Sequence, residues 1–152
     1  MSAYVISDLH LGHNNIKNLR PFESSEDHDK WILKQWNSII CKRDTVFVLG
    51  DIVFNMRGFE TLGKLRGSKK FILGNHDLVA VENYSKYGKV LPSVVKYKKV
   101  IWMSHVPIHP IELRDCINIH GHVHEKTLDD SRYVNVCVEV LDGLPIELKK
   151  FY

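Results

Sequence analysis

The sequence is poor in several features that would assign it to a special class of protein. It has three cysteines among 152 residues, an odd number at wide spacing, so we expect no disulfide framework and a reducing compartment. No apolar run approaches the roughly 20 residues that a membrane helix needs. The chain also does not open on a basic segment followed by a long apolar stretch, as a signal peptide does. We therefore predict a cytoplasmic protein with no membrane partner.

Neither sign of charge dominates the chain. Its 21 basic and 18 acidic residues give a formal charge of +3, which is too small to indicate a nucleic-acid partner by itself. The hydrophobic fraction of 44% and the charged fraction of 26% are ordinary for a globular protein. The length predicts a single domain over residues 1–152. Histidine, with nine residues, is the abundant type. Such an excess reflects either chance or a metal site, and the positions of the histidines must decide.

Short apolar runs alternate with amphipathic segments in the first half of the chain. An acidic first turn after Ser24, followed by apolar residues such as Ile32 and Trp36 at helical spacing, predicts a helix. The predicted strands are residues 3–7, 45–49 and 69–73, and the predicted helices are residues 25–40, 59–65 and 79–87. This alternation implies parallel pairing of the strands.

The second half of the chain is mostly strand in its pattern. The predicted strands are residues 90–97, 100–103, 116–120, 133–140 and 145–151. A lysine turn joins the first two, and Asp142-Gly143 between the last two indicates a β-hairpin. We therefore expect a meander that adds antiparallel strands, and an α/β fold with one mixed sheet or two packed sheets.

Residue types that bind metal ions follow five of the predicted strands. The segments are Asp8-Leu9-His10, Gly50-Asp51, Gly74-Asn75-His76-Asp77, Ser104-His105 and Gly121-His122-Val123-His124. The carboxyl ends of strands line the ligand crevice of open α/β sheets, so these segments are expected to meet. If the segments are extended, residues two apart face one side, and Asp8 with His10 can hold one ion, as can His122 with His124. Most of these segments alone are also explained without a ligand, least easily the three histidines within residues 120–124, but five together favour a site.

Taken in this order, the five segments resemble the calcineurin-like metallophosphoesterases, and most closely the short, cap-less members found in bacteria and bacteriophages. Further similarity lies at Arg20-Pro21-Phe22, Trp36-Asn37 and Asn135-Val136. The resemblance extends from the first strand to the final strand pair, and it is specific for the superfamily but not for a substrate. It implies a β-sandwich of two packed mixed sheets flanked by helices.

The resemblance also implies a site for two divalent metal ions. Asp8, His10, Asp51 and His124 would hold the first ion, and Asp51, Asn75, His105 and His122 the second, with Asp51 bridging. The mixed oxygen and nitrogen ligands argue against calcium and against a thiolate zinc site. We expect manganese first, with iron, zinc, nickel, cobalt and magnesium as alternatives.

The family pattern places His76 beside the leaving group. We hypothesise in-line attack on phosphorus by a hydroxide that bridges the two ions, with His76 as general acid. Asp77 is assigned either to orienting His76 or to capping the turn. His13, Asn14 and Arg57 are candidates for substrate contact, although each is equally well explained as a surface residue. His28 is predicted to be a solvated helix residue.

Three functional hypotheses follow from these residues. The first is hydrolysis of a small nucleotide-like phosphate ester, which can be a monoester, a linear diester or a cyclic nucleotide. The second is a nuclease on DNA or RNA, for which the basic run Lys64, Arg66, Lys69 and Lys70 is the supporting feature. The third is a non-catalytic protein-binding scaffold of the same fold, which the complete ligand set argues against. The sequence indicates no oligomeric state.

Overall fold

Nine strands and five α-helices make up the structure, a computed structural model that describes all 152 residues. The strands are β1 (Ala3–Ile6), β2 (Thr45–Leu49), β3 (Ser68–Ile72), β4 (Lys89–Val90), β5 (Val94–Tyr97), β6 (Ile101–Ser104), β7 (Ile117–His120), β8 (Tyr133–Asn135) and β9 (Ile146–Glu147). The helices are α1 (Ser25–Ile39), α2 (Gly58–Lys64), α3 (Val81–Ser85), α4 (Pro110–Leu113) and α5 (Val138–Leu141). Short 3₁₀ helices span Ile16–Asn18 and Leu148–Phe151.

The strands form two mixed sheets. The first has the order β4-β3-β2-β1-β9, with β1 to β4 parallel and β9 antiparallel to β1. The second has the order β5-β6-β7-β8, with β5 antiparallel to β6 and the remaining pairs parallel. Two packed mixed sheets flanked by helices confirm the predicted fold class. No helix has the length and apolarity needed to cross a bilayer.

The first sheet has helices on one face and the second sheet on the other, which explains why its central strands β1 and β2 are largely apolar runs. In β2, Phe47 and Leu49 point to the second sheet, and Val46 and Val48 point to the helices. Ile32 and Trp36 of α1 pack in the helix-side cluster, as their spacing predicts. The cluster between the sheets consists of Val5, Phe47, Leu49, Ile72, Ile101, Met103, Ile119, Val136 and Leu148.

The predicted hairpin around Asp142-Gly143 is wrong. Residues Val138–Leu141 form α5, and the two strands on either side of it lie in different sheets. Asp142 has φ 50° and ψ 39°, the left-handed conformation that ends a helix, and Gly143 follows with φ 71°. An Asp-Gly pair favours positive φ, and a helix end needs that conformation as much as a hairpin turn does.

The expected antiparallel meander is also mostly wrong. Only β5 and β6 pair in an antiparallel way in the second sheet, through a turn in which Lys98 and Lys99 have φ of 52° and 64°. This confirms the predicted lysine turn. The connection from β6 to β7 contains α4 and crosses over, so that these two strands run parallel. Four residues of helix in a proline-bearing segment left no periodic pattern from which this crossover could be predicted.

Candidate dinuclear metal site

The loops that follow β1, β2, β3, β6 and β7 meet at one end of the two sheets. Backbone hydrogen bonds join them: the N–H of Asp8 donates to the carbonyl of Gly50 at 3.0 Å, and the N–H of Gly121 donates to that of His105 at 2.9 Å. The parallel direction of the strands brings their carboxyl ends to this edge, as in other α/β proteins. The five polar segments of the sequence therefore lie together.

Asp8, His10 and His124 form a first cluster of metal-binding side chains. One ligand atom from each of them lies within 4.8 Å of the others. His10 Nε2 is 3.6 Å from Asp8 Oδ1 and 3.9 Å from Asp51 Oδ2, so Asp51 also faces this cluster.

Asp51, His105 and His122 form a second cluster with the same 4.8 Å limit. His105 Nε2 lies 3.4 Å from Asp51 Oδ1 and 2.9 Å from Asn75 Oδ1, and His122 Nδ1 lies 3.2 Å from His105 Nε2. One oxygen of Asp51 thus faces each cluster. That is the arrangement a bridging carboxylate requires.

The backbone at these ligands is left-handed, not extended. Positive φ values occur at Asp8 (59°), His10 (51°), Asp51 (49°), His122 (71°) and His124 (52°). The explanation of each pair by extended i, i+2 geometry is therefore wrong. Such a conformation costs a non-glycine residue about 1–3 kcal/mol and persists only where surrounding contacts enforce it. Favourable contacts elsewhere in the fold must therefore offset the backbone strain at these side chains.

Two glycines allow the loops to approach this closely. A Cβ atom on Gly121 would collide with Asp8 Oδ2 and Ser7 Oγ. Gly50 has φ 88°, and a Cβ atom there would collide with the ring of His105. Larger residues at these two positions would displace the ligand loops.

Several buried polar atoms of the site have no hydrogen-bond partner within the chain. They include Asp8 Oδ1 and both ring nitrogens of His10. An unsatisfied buried polar group costs roughly 1–3 kcal/mol, so atoms of this kind are expected to bind something. Carboxylate, amide and imidazole donors suit divalent transition-metal ions. The residues present therefore fit two such ions.

The protonation states of Asp8 and His10 favour metal binding. Burial lowers the pKa of His10 to about 4, against the opposing effect of Asp8, so the imidazole is neutral near pH 7. Burial alone would raise the pKa of Asp8, but the His10 side chain and the N–H of His122, which donates to Asp8 Oδ2 at 2.9 Å, hold it well below its usual range. Neutral imidazole and ionised carboxylate are the forms that coordinate metal ions.

The model of the calcineurin-like phosphoesterase family matches residues 1–148. The chain belongs to this family. It is 34% identical to the uncharacterized protein MJ1445 of Methanocaldococcus jannaschii, over 95% of this chain and 86% of that one. The solved structure of AQ665 from Aquifex aeolicus, a protein of unknown function, is similar with a TM-score of 0.78 and 27% identity, covering 98% of this chain and 96% of that one.

A nuclease, MPE of Pseudomonas putida, has a TM-score of 0.58 and 18% identity, covering 80% of this chain and 61% of that one. At this identity the likeness concerns the fold alone.

Glu139 and Arg20 support the first cluster of this phosphoesterase. His124 Nδ1 lies 2.9 Å from Glu139 Oε1, which also accepts a hydrogen bond from Arg20 Nε at 2.9 Å. Arg20 further donates to the backbone carbonyls of Asp8 at 2.5 Å and Leu9 at 3.3 Å. A carboxylate that holds one ring nitrogen of a histidine directs the other nitrogen to the metal. Glu139 thus orients His124, and Arg20 ties it to the first ligand loop.

Sequence reasoning missed Glu139 because it lies in a segment that we predicted to be a strand. Arg20 was named only as part of a segment that resembles the family, and no role was predicted for it. Nothing in the local sequence pairs these two residues, which are 119 positions apart.

The prediction that His28 is solvated is wrong. His28 is fully buried, with Nε2 2.7 Å from Arg20 Nη1 and Nδ1 3.0 Å from Asp29 Oδ1. Because the arginine can only donate, Nε2 accepts and Nδ1 donates to Asp29. Asp29 in turn accepts from the N–H of Gly12 at 3.0 Å. The buried face of α1 therefore holds the first ligand loop in place.

His76 lies at the rim of the site and in neither cluster. Its ring is exposed, stacks on Phe54 at 5.2 Å between centroids, and lies 6.4 Å from the ring of His10. Its backbone N–H donates to Asp51 Oδ1 at 2.9 Å. The side chain is therefore free to meet a ligand. Phe54, which the sequence reasoning did not single out, is the surface on which His76 rests.

Of the two roles considered for Asp77, orienting His76 or capping the turn, its hydrogen bonds fit the second. Its carboxylate is buried and accepts hydrogen bonds from the N–H groups of Ile52 and Gly74, both at 2.8 Å, and from the hydroxyl of Tyr84 at 2.8 Å. None of its hydrogen bonds involves His76. The turn-capping alternative is the one that the structure shows, because this carboxylate satisfies donors of the second and third ligand loops.

The three candidate substrate residues are placed differently. The ring of His13 meets that of Phe54 at a tilt, 4.3 Å between centroids, and stacks with that of His10 at 5.8 Å, so it reaches the site. Asn14 is exposed beside it. Arg57 instead points to α1, where it donates to Ser25 Oγ at 2.6 Å and forms an ion pair with Glu26. The structure does not bring Arg57 to the clusters, because the Glu26 carboxylate and the Ser25 hydroxyl bind its guanidinium group.

Proposed function

We propose that this phosphoesterase hydrolyses small nucleotide-like phosphate esters, monoesters or diesters, at a centre of two divalent ions. The observation that carries the proposal is the position of Asp51. Its two oxygens lie 3.9 Å from His10 Nε2 and 3.4 Å from His105 Nε2, so that one carboxylate belongs to both clusters. Two-ion centres of this kind are typical of phosphoryl-transfer enzymes.

Asp8, His10, Asp51 and His124 would hold one ion and Asp51, Asn75, His105 and His122 the other, with manganese as the first candidate. When bound, the two ions would polarise the phosphoryl oxygens and activate a water molecule for in-line attack on phosphorus.

The remaining chemistry belongs to residues of the rim. A ring nitrogen of His76 would donate a proton to the leaving oxygen, since the ring is exposed and lies 6.4 Å from that of His10. His13, whose ring contacts Phe54 and stacks with His10, would contact the ester group. Two bound divalent ions would add four positive charges to the formal +3 of the chain and would attract an anionic ester.

The structure weakens one argument for a nuclease, namely that the basic run Lys64, Arg66, Lys69 and Lys70 binds the phosphates of a nucleic acid. Lys69 Nζ is buried and donates to the carbonyls of Leu65 at 2.6 Å and Gly67 at 3.2 Å. Arg66 donates to the carbonyl of Asn37 at 3.2 Å. Both groups stabilise the connection before β3, and the buried Lys69 is not available to phosphates.

The test uses protein stripped with a chelator and reloaded separately with Mn²⁺, Ni²⁺, Co²⁺, Zn²⁺ or Mg²⁺. We expect hydrolysis of bis-p-nitrophenyl phosphate with at least one ion and no hydrolysis in the chelator. Activity on p-nitrophenyl phosphate, cyclic nucleotides and DNA strands then ranks the substrate classes. Protein that retains two ions but hydrolyses none of these would contradict the enzyme hypothesis and favour the scaffold.

A further inference from the structure

A cavity lies at the end of the sheets opposite the metal-ligand clusters. It has a volume of about 400 Å³ and is lined by residues at the starts of β1 and β2, the end of β5, and β9. Since β1 and β2 run toward the clusters and β5 runs away from them, a full strand separates the two sites. Five residues of strand span about 16 Å. The cavity is therefore independent of the metal centre.

Aromatic rings form one side of this cavity. Phe47 and Tyr97 meet edge to face at 5.4 Å between centroids, and Tyr97 meets Tyr152 in the same way at 5.9 Å. All three line the cavity, and Tyr152 is 52% exposed. Exposed ring surface at the mouth of a pocket is suited to stacking with a planar ligand.

Lysines supply the charge of the cavity. Lys70 Nζ lies 5.1 Å from the centre of the Phe47 ring, Lys98 Nζ lies 5.7 Å from that of Tyr152, and Lys149 also lines the cavity. Glu147 is the one acidic residue in the lining. The salt bridges of the structure involve arginine and histidine but no lysine. Three lysines that form no salt bridge and one glutamate therefore line the cavity.

We propose that this cavity binds a nucleotide, either free or as part of a single strand, with its phosphate on the lysines and its base on the tyrosines. Lysine binds phosphate as a point charge, and aromatic rings stack on bases of any identity. The volume falls in the range of small-molecule sites, roughly 300–1,000 Å³. A site of this kind would hold a nucleotide away from the metal centre, as an effector or as the distal part of a longer substrate.

The experiment measures binding in the presence of a chelator, so that the metal centre does not hydrolyse the probe. Binding at the cavity can then be detected even if the proposed phosphoesterase activity is absent. The probes are AMP, by calorimetry, and a short labelled oligothymidylate, by fluorescence anisotropy. The variants are the triple substitution Lys70→Gln, Lys98→Gln and Lys149→Gln, and the single substitution Tyr152→Ala. The control is the triple substitution Lys30→Gln, Lys34→Gln and Lys86→Gln, which removes the same charge from exposed lysines elsewhere.

We expect the triple cavity variant to weaken binding by roughly tenfold or more and Tyr152→Ala to weaken it by roughly fivefold or more, with the control near wild type. If AMP binds, a free nucleotide is a sufficient ligand for the cavity. If only the oligonucleotide binds, the ligand is a single strand. Either result supports the site. Three results would overturn it: no binding of either probe, equal losses in the control, or competition by inorganic phosphate as strong as by AMP. Circular dichroism verifies that each variant is folded.

Discussion

At the scale of single residues, Asp51 joins the two metal-ligand clusters. One oxygen faces His10 and the other faces His105. Replacing it by asparagine removes a charge and one of the two bridging oxygens. We expect Asp51→Asn to lose at least one of two bound ions, measured by elemental analysis after dialysis against manganese.

The control for this measurement is Asp115→Asn, a substitution of an exposed carboxylate. It should retain both ions. Two ions in Asp51→Asn would contradict the bridging role.

His76 differs from the ligands in lying outside both clusters. We expect His76→Ala to keep its metal content and to lower kcat by roughly 100-fold or more, because it removes a proton donor without removing a ligand. Steady-state kinetics on the chromogenic diester, together with elemental analysis, separate the two effects. His109→Ala, an exposed histidine in the loop after β6, is the matched control. Loss of metal from His76→Ala would show that its proposed role is wrong.

Glu139 acts on the site through His124. We expect Glu139→Gln to weaken manganese binding by roughly 10–100-fold in calorimetric titration, since the imidazole loses the carboxylate that orients it. Arg20→Lys should weaken it as well, because lysine cannot bond Glu139 and the carbonyls of Asp8 and Leu9 at once. Unchanged affinity in both variants would leave the pair with a structural role only. The control is Glu82→Gln, an exposed residue of α3.

At the scale of secondary-structure elements, α1 supports the site through its buried face. Ser24 Oγ accepts a hydrogen bond from the N–H of Asp27 at 3.1 Å and begins the helix. His28 then meets Arg20 of the loop and Asp29 of its own helix, with Glu139 of α5 beyond. Burial lowers the pKa of His28, and Asp29 opposes this only in part.

This burial makes a pH-dependent contribution to stability. In the unfolded chain histidine titrates near pH 6.5, above its pKa in the folded state, so that unfolding takes up a proton as the pH falls below that value. The stabilisation is complete above about pH 7 and is lost on acidification. We expect His28→Gln to be less stable than wild type at pH 7.5, with a gap that narrows by up to about 1.4 kcal/mol per pH unit below pH 6.5.

Urea unfolding at pH 7.5 and pH 5.5 in chelator measures this gap. Lys30→Gln, at an exposed position of the same helix, serves as the comparison and should show no such change. A gap of constant size would mean that His28 binds a proton equally well in the folded and unfolded chain.

At the scale of the whole molecule, metal binding should stabilise the fold, because the ligands come from five loops and converge only in the folded state. Ligand at 100 times its Kd stabilises a protein by about 2.7 kcal/mol per site. For a chain of this size that amounts to a rise in Tm of roughly 5–10 °C. Thermal unfolding with Mn²⁺ and with chelator measures the rise. In the double variant Asp8→Asn, Asp51→Asn it should largely disappear, and a rise of the same size there would place the ions elsewhere.

The sequence by itself determined which segments carry candidate metal-binding residues, the first-half strands and α1. Local patterns carry that information: apolar runs that end in Asp, Asn or His mark strand ends, and the spacing of Ile32 and Trp36 marks a helix. The order of the five segments was also enough to indicate the family. The strand ends and the helix depend on neighbours within a few positions, and the order of the segments is read directly along the chain.

Only the tertiary structure decided how those segments are used. It showed that Asp142-Gly143 ends a helix, that Asp77 caps two ligand loops and that Arg57 is engaged by α1. It also paired Arg20 with Glu139, 119 positions away, behind His124. The physical reason is the same in each case: whether a charged or turn-forming residue is free depends on which distant groups pack against it, and no local pattern contains that contact.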